Sequence, residues 1–211
     1  MFISQHAGGG KAQQLFLRGF DLDHGTDIQI SVDVMPVNMV SHAHGQGYAD
    51  MHFIIPELVK NMDYGLGPYY TSHGNLAVAG YVDLKTFTNI QNNTVKVEVG
   101  QFNTKRGLAI FNLLKKDAKR ASKNWYIAAE YISSDGPFES PQKFRRYNVF
   151  SKYSNTLGAK SLLTIQGSTF SSRWNASGQI PERAVSSGEI GRFGSIDDKE
   201  GGQTDRTNFN L

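Results

Sequence analysis

The 211-residue sequence has no cysteine, no long apolar run and no excess of one charge sign beyond a net +3. The absence of cysteine excludes disulfide frameworks and thiolate metal sites while leaving the compartment open, since many exported bacterial proteins also lack it. The longest apolar stretches, residues 53–56 and 108–111, fall far short of the roughly 20 residues of a membrane helix. Residues 1–10 lack the basic region and apolar core of a secretory signal, so an exported protein carrying this stretch is expected to be mature or truncated here. The charge is unevenly placed. Residues 1–85 carry 4 Lys/Arg against 8 Asp/Glu, and residues 86–211 carry 18 against 11. The basic residues of the second part are scattered between aromatic segments rather than gathered in one stripe, which argues against nucleic acid as a partner.

With 39% hydrophobic residues the chain can bury a core, as one large domain or two small ones. In the first part, residues 14–18 read as a short strand before Gly19, and residues 28–34 alternate Ile28, Ile30, Val32 and Val34 with polar partners until Pro36. Pro56 with Glu57 and Lys60 marks a short helix, and residues 76–85 form a further strand. Short strands, one or two short helices and Gly-rich loops describe a small α+β unit.

All six histidines lie in this part. His42, His44, Asp50 and His52 supply the nitrogen and oxygen ligands zinc accepts, but Gly45 and Gly47 loosen the chain between the two pairs. Metal binding, ligand contact and a plain loop role all stay open. A soluble zinc-dependent hydrolase using His42, His44 and His52 is one alternative reading of the chain.

Six segments of the second part alternate apolar and polar residues: 94–102, 108–114, 124–132, 146–153, 163–169 and 206–211. Alternation suits a soluble β-sandwich binding module or a membrane barrel, because both expose one face of each strand to a different medium. The connections favour the barrel. If the first strand runs outward, residues 134–142 and the much longer 172–205 lie outside, and the short 154–160 lies inside. Trp125, Tyr153 and Phe170, at strand ends, suit interfacial aromatic girdles and an ordinary core equally.

Four segments in order carry a resemblance: LFLRGFD at 15–21, VDVMPVN at 32–38, GLGPYY at 65–70 and GNLAVAG at 74–80, followed by YVDLKT. They resemble the later plug domain of TonB-dependent outer-membrane receptors, in which an Ile-Arg-Gly strand end, a Val-Asp-Gly-x-Pro strand, an Arg-Gly-Pro turn and a Gly-Gly strand occur in that sequence. Val34, Leu66 and Ala79 depart from the usual residues. The resemblance implies a mainly β fold, with a partial α+β plug domain over residues 1–86 and the first strands of an antiparallel transmembrane β-barrel over 87–211, including a long outer loop at about 172–205. The family's barrel has many more strands, and its TonB-contacting plug segment is not read in this sequence, so a fragment is expected.

The same resemblance implies energised uptake of a scarce nutrient across the bacterial outer membrane, with no enzyme activity and no cofactor. The expected partners are a TonB-type energy-transducing protein, a small-molecule ligand and outer-membrane lipid. It places His42, His44, Tyr48, Asp50 and His52 on a plug loop able to face ligand, with Trp174 in the long outer loop as a further candidate. Arg18 is expected to contact the barrel from the plug, with Glu98 or Glu130 as lumen partners.

Overall fold

The computed structural model describes residues 2–5, 9–22, 27–42, 47–114, 122–158 and 160–211. The chain divides into two compact units, one of Met1–His6 with Lys11–Phe87 and one of Ala7–Gly10 with Thr88–Leu211.

The first unit holds two small sheets. Strands β1 (Phe2–Ser4), β2 (Gln14–Leu17) and β3 (Phe20–Leu22) form an antiparallel sheet in that order. Arg18 and Gly19, both at positive φ, turn the chain from β2 to β3. The second sheet is mixed, in the order β5 (Met35–Pro36), β4 (Ile28–Val32), β7 (Gly80–Thr86) and β6 (Val59–Leu66), and β4 runs parallel to β7. Ile28, Ile30 and Val32 of β4 and Val82 of β7 are buried, which is the face that the alternation of 28–34 marks as apolar. Asn38 covers the other flank of β4 beyond the short β5, accepting from the Ile30 N–H at 2.7 Å and donating to the Ile28 carbonyl at 2.9 Å.

Two expectations need correction. The helix read from Pro56 is a single 3-10 turn, Pro56–Leu58, after which the chain runs straight into strand β6, absent from the sequence reading. The strand expected from residue 76 begins at Gly80, because Thr71–Leu76 is 3-10 with Gly74 at positive φ breaking it. Exposed apolar residues leave 59–66 without a clear period, so pairing with β7 decides that strand, and Gly74 interrupts the second segment.

The β4–β5 hairpin turns at Asp33 and Val34, both at positive φ (49° and 72°). Two such residues are what a tight two-residue hairpin needs, and Gly or Asn normally fills the second place. Asp33 fits, because its carboxylate accepts from the Thr86 backbone N–H at 2.9 Å and from the Thr86 hydroxyl at 2.5 Å. Val34 is β-branched, 85% exposed, and gains no packing there. Val34→Gly is therefore expected to stabilise the unit by about 1 kcal/mol through relief of backbone strain, less the entropy of a freer unfolded chain. An unchanged or lowered urea midpoint would show that the turn carries no strain.

The second unit is one six-stranded antiparallel meander of β8 (Thr94–Gly100), β9 (Thr104–Asn112), β10 (Lys123–Ser134), β11 (Phe144–Leu157), β12 (Ser161–Asn175) and β13 (Gly201–Asn210). Each strand pairs with the next in sequence, and the sheet does not close, leaving β8 and β13 as its edges. The six alternating segments all become strands, generally longer than the alternation marks. β12 runs to Asn175 and β13 starts at Gly201, so the long connection spans 176–200 rather than 172–205 and holds one short helix, α1 (Glu182–Ser186).

The two faces of this sheet are polarised against the rule for water-soluble proteins. Val95, Val97 and Val99 of β8 are 68%, 81% and 82% exposed. Phe111, Val149, Leu157 and Phe209 are also exposed, whereas Glu130, Asn148, Lys152, Ser154, Gln166 and Ser172 are buried. Register places Val95, Ala109, Ala129 and Val149 side by side on the outward face, and Leu108, Glu130 and Asn148 side by side on the other. Of the expected girdle aromatics, Trp125 and Tyr153 are directly paired on the outward face, but Phe170 is 3% exposed on the buried one.

Candidate functional site

Two groups of side chains carry most of the chemistry in the described residues. The first lies in the Gly-rich loops of the first unit. The Met39 and Tyr48 backbones pair through two hydrogen bonds of 2.8 and 3.1 Å, closing a loop over the intervening residues. At its base the rings of His42 and Tyr48 stack with centroids 4.5 Å apart and an interplanar angle of 13°. His42 is exposed, and His44 lies outside the described residues.

Asp50 and His52 engage each other. Both are 6% exposed, and one Asp50 oxygen accepts from the His52 backbone N–H at 2.8 Å and contacts His52 Nδ1 at 2.7 Å. This pins the segment as an Asx-type turn. Among the described residues the buried Asp50 Oδ2 has no hydrogen-bond partner. Among the described residues no three His, Asp or Glu side chains converge in a way that could hold a metal ion.

The sequence reading missed a neighbouring aromatic group. The His73 ring stacks on Tyr81 at 3.5 Å and 8°, and Tyr70 meets Tyr81 edge-on at 5.1 Å. His73 Nδ1 lies 3.2 Å from Gln29 Oε1, and the Tyr81 hydroxyl donates toward Asp63 at 3.4 Å. Beside this group opens a cleft of about 520 Å³ lined by Pro68, Tyr70, Thr71, Gly74, Ala77 and Val78. The density of tyrosine in 64–81 was the available signal, but β6, β7 and the 3-10 segment had to be assembled before the rings met.

Burial, and then the nearby Asp63 carboxylate, push the Tyr81 phenol above its ordinary range. A raised folded value means that the folded unit holds this proton more tightly than the unfolded chain. The contribution to stability is thus complete below about pH 10 and is lost as pH rises through the folded value. In alkaline titration, unfolding of the first unit is expected to become easier above about pH 10, and Tyr81→Phe is expected to flatten that part of the curve. An identical alkaline limb in the variant would assign the effect elsewhere.

The second group is a charged ladder on the buried face of the barrel-like sheet. Glu130, with a wholly buried carboxylate, accepts from Arg106 Nε at 2.7 Å, Arg106 Nη2 at 2.6 Å, Arg146 Nη2 at 2.7 Å and Asn148 Nδ2 at 3.0 Å. Arg106 Nη1 also donates to Glu98 at 2.6 Å. The ladder thus spans β8 to β11. The resemblance offers Glu98 or Glu130 as lumen partners for Arg18; the structure pairs these two glutamates with Arg106, Arg146 and Asn148, none of which the sequence singles out. The cross-strand register supplies them, since Glu98 faces Arg106, Glu130 faces Asn148, and Ile132 lies between Arg106 and Arg146.

Arg18, the expected plug-to-barrel cation, is exposed at the β2–β3 turn. Trp174 is in β12 rather than in the long loop, and its indole, 8% exposed, packs with Phe144 and Ala176. Gly10 and Gly202 lie flat against that ring, and a Cβ at either would collide with it. The ring is thus held in place by packing.

No protein-family model matches the chain, and no curated protein matches it. Solved structures do. The pyoverdine outer-membrane receptor FpvA of Pseudomonas aeruginosa PAO1 matches 82% of this chain with 24% of its own, at 12% identity and TM-score 0.62. The ferric-catecholate import receptor Fiu of E. coli K12 matches 96% of this chain with 31% of its own, at 13% identity and TM-score 0.58. The siderophore receptor PiuA of Acinetobacter baumannii matches 85% with 25% of its own, at 13% identity and TM-score 0.57. The chain spans about a quarter to a third of the length of these receptors. With its mainly antiparallel sheets and its open barrel wall, the chain has the fold of a part of a TonB-dependent outer-membrane receptor.

Proposed function

We propose that the chain is the later plug domain and the first barrel wall of a TonB-dependent receptor that imports a small-molecule nutrient across the bacterial outer membrane. One observation carries the reading: the six-stranded sheet exposes valine, phenylalanine and leucine on one face and buries a Glu–Arg ladder on the other. In hydrocarbon the apolar face is favoured, and the charged face suits an interior where each charge finds a partner. A soluble sandwich would bury the valines of β8 instead. The zinc-hydrolase alternative has the less to support it, because among the described residues no three His, Asp or Glu side chains converge.

Ligand is captured at the outer face, and pulling by a TonB-type protein rearranges the plug. Siderophore is the proposed ligand class, since FpvA, Fiu and PiuA are receptors of that kind. The proposed contacts are His42 and Tyr48, together with His44, Asp50 and His52 of the same stretch of sequence. Arg18 is proposed to help hold the plug in the barrel. In the full-length protein, Arg18→Ala is expected to speed amide exchange of the plug, and unchanged exchange with unchanged transport would remove that role.

Fractionation of cells expressing the whole gene tests the central reading. An outer-membrane band whose gel mobility changes on boiling is expected, and a water-soluble monomer would refute it.

A further inference from the structure

Two connections at one end of the six-stranded sheet are joined to each other, and the transport reading makes no use of that contact. Residues 135–143 link β10 to β11, and residues 176–200 link β12 to β13. A connection longer than about a dozen residues is ordinarily where a chain holds many conformations. This one is folded on itself. The Ala176 N–H donates to the Glu200 carbonyl at 2.9 Å and closes its base, and Ser195 Oγ donates to the Ser177 carbonyl at 3.1 Å. After α1 the Ala184 carbonyl accepts from the Glu189 and Ile190 N–H groups at 3.0 and 3.2 Å.

The Gly191 carbonyl next accepts from the Gly194 N–H at 2.8 Å, which makes a tight turn with Arg192 and Phe193 at its tip. That tip meets the shorter connection. The Phe193 carbonyl accepts from the Glu139 N–H at 3.0 Å, and its ring meets Phe138 with centroids 6.2 Å apart and planes at 62°. Gly191 is equally near, since a Cβ there would come within 2.9 Å of the Glu139 carboxylate.

The shorter connection has its own anchors. The Gln142 N–H donates to the Asp135 carbonyl at 2.8 Å, the Gln142 carbonyl accepts from the Asn175 N–H at 2.6 Å, and the Asp135 N–H donates to the Phe102 carbonyl at 2.9 Å. Both bases are thus fixed to the sheet, while the tips meet through a backbone bond and a ring pair with Phe193 half exposed. Each of these is worth roughly a factor of three to ten in the open–closed balance. Such a contact stays formed and still opens without unfolding the sheet.

We infer that Phe138 and Glu139 clasp the Phe193 turn, so that the two connections open and close as one body and whatever draws one of them displaces the other. The clasp needs only the sheet and its two connections, and it stands apart from the identity of any imported molecule. It is tested by amide exchange followed by mass spectrometry on the full-length protein, comparing peptides over 135–143 and 176–200.

Phe193→Ala is expected to speed exchange over 138–142 by about fivefold, and Phe138→Ala to do the same over 190–195. The double variant should go no further than either single one, because both remove the same ring pair. Phe193→Tyr keeps the ring and should exchange as the wild type does. Gly194→Ala disturbs the turn by another route, since its Cβ would lie 2.7 Å from the Ile190 side chain, and it should also loosen 138–142. Ile196→Ala removes an equally exposed apolar side chain from the same connection and should leave 135–143 unchanged. Faster exchange confined to the connection that carries the substitution, or spread as far by Ile196→Ala as by Phe193→Ala, overturns the clasp.

Discussion

Glu130→Ala is expected to destabilise the barrel wall by about 3–5 kcal/mol, because it strips a buried carboxylate from between two arginines and leaves their charges facing each other. Arg106 and Arg146 are only 15% and 13% exposed, so water cannot replace the lost partner fully. Glu98, 53% exposed, reaches Arg106 Nη1 and gives Arg146 no second carboxylate among the described residues. The midpoint of urea unfolding for protein refolded in detergent measures the loss.

Two comparisons give that number meaning. Glu98→Gln, at the exposed end of the ladder, is expected to cost less than about 1 kcal/mol. Adding Arg146→Met to Glu130→Ala should recover part of the loss, since it removes one of the uncompensated charges. If Glu130→Ala costs no more than Glu98→Gln, the ladder is solvated and its place in the wall has been misjudged.

The second large effect is expected at Gly80. A Cβ there would run into the carbonyl oxygen of Gly65 on the neighbouring β6 and come within 3.0 Å of the Leu17 side chain, and the residue sits at φ +150°. The obstacle is backbone of a paired strand, so no rotamer change relieves it. Gly80→Ala is expected to cost about 3 kcal/mol or more, the sum of left-handed strain and forced separation of β6 from β7. Rapid exchange of the β7 amides from Gly80 to Thr86 should follow. Gly74 supplies the control: it also has positive φ, at 71°, but nothing lies within 4 Å of a Cβ there. Gly74→Ala is thus expected to cost only the backbone term of about 1–2 kcal/mol. Equal losses at the two sites would show that steric approach of β6 contributes nothing.

These positions show what kind of information the sequence carries. Gly80 belongs to the Gly-Gly strand pattern legible in residues 74–80, and the close approach of β6 gives its physical cause. Asp33 belongs to the Val-Asp strand, and its bonds to Thr86 explain why an acid stands there. Val34, in contrast, departs from the pattern without changing the turn, which keeps positive φ at both central residues. Strand β6 was illegible because Val59 to Leu66 exposes nearly every side chain, so neither period 2 nor period 3.6 marks it. The Tyr70, His73 and Tyr81 group was illegible for another reason, since its members meet only once the 3-10 segment folds between the paired strands β6 and β7.

By itself the sequence determined the six wall strands and their two-sided character, because a strand's side chains must alternate whatever medium surrounds it. It could not decide which side was which: valines at 95, 97 and 99 would alternate equally well in a soluble sandwich. Only the tertiary structure decided that they point outward while Glu130 is enclosed by Arg106, Arg146 and Asn148. The reason is that burial and ion pairing are set by register between strands far apart in the chain, and local periodicity contains no record of that register.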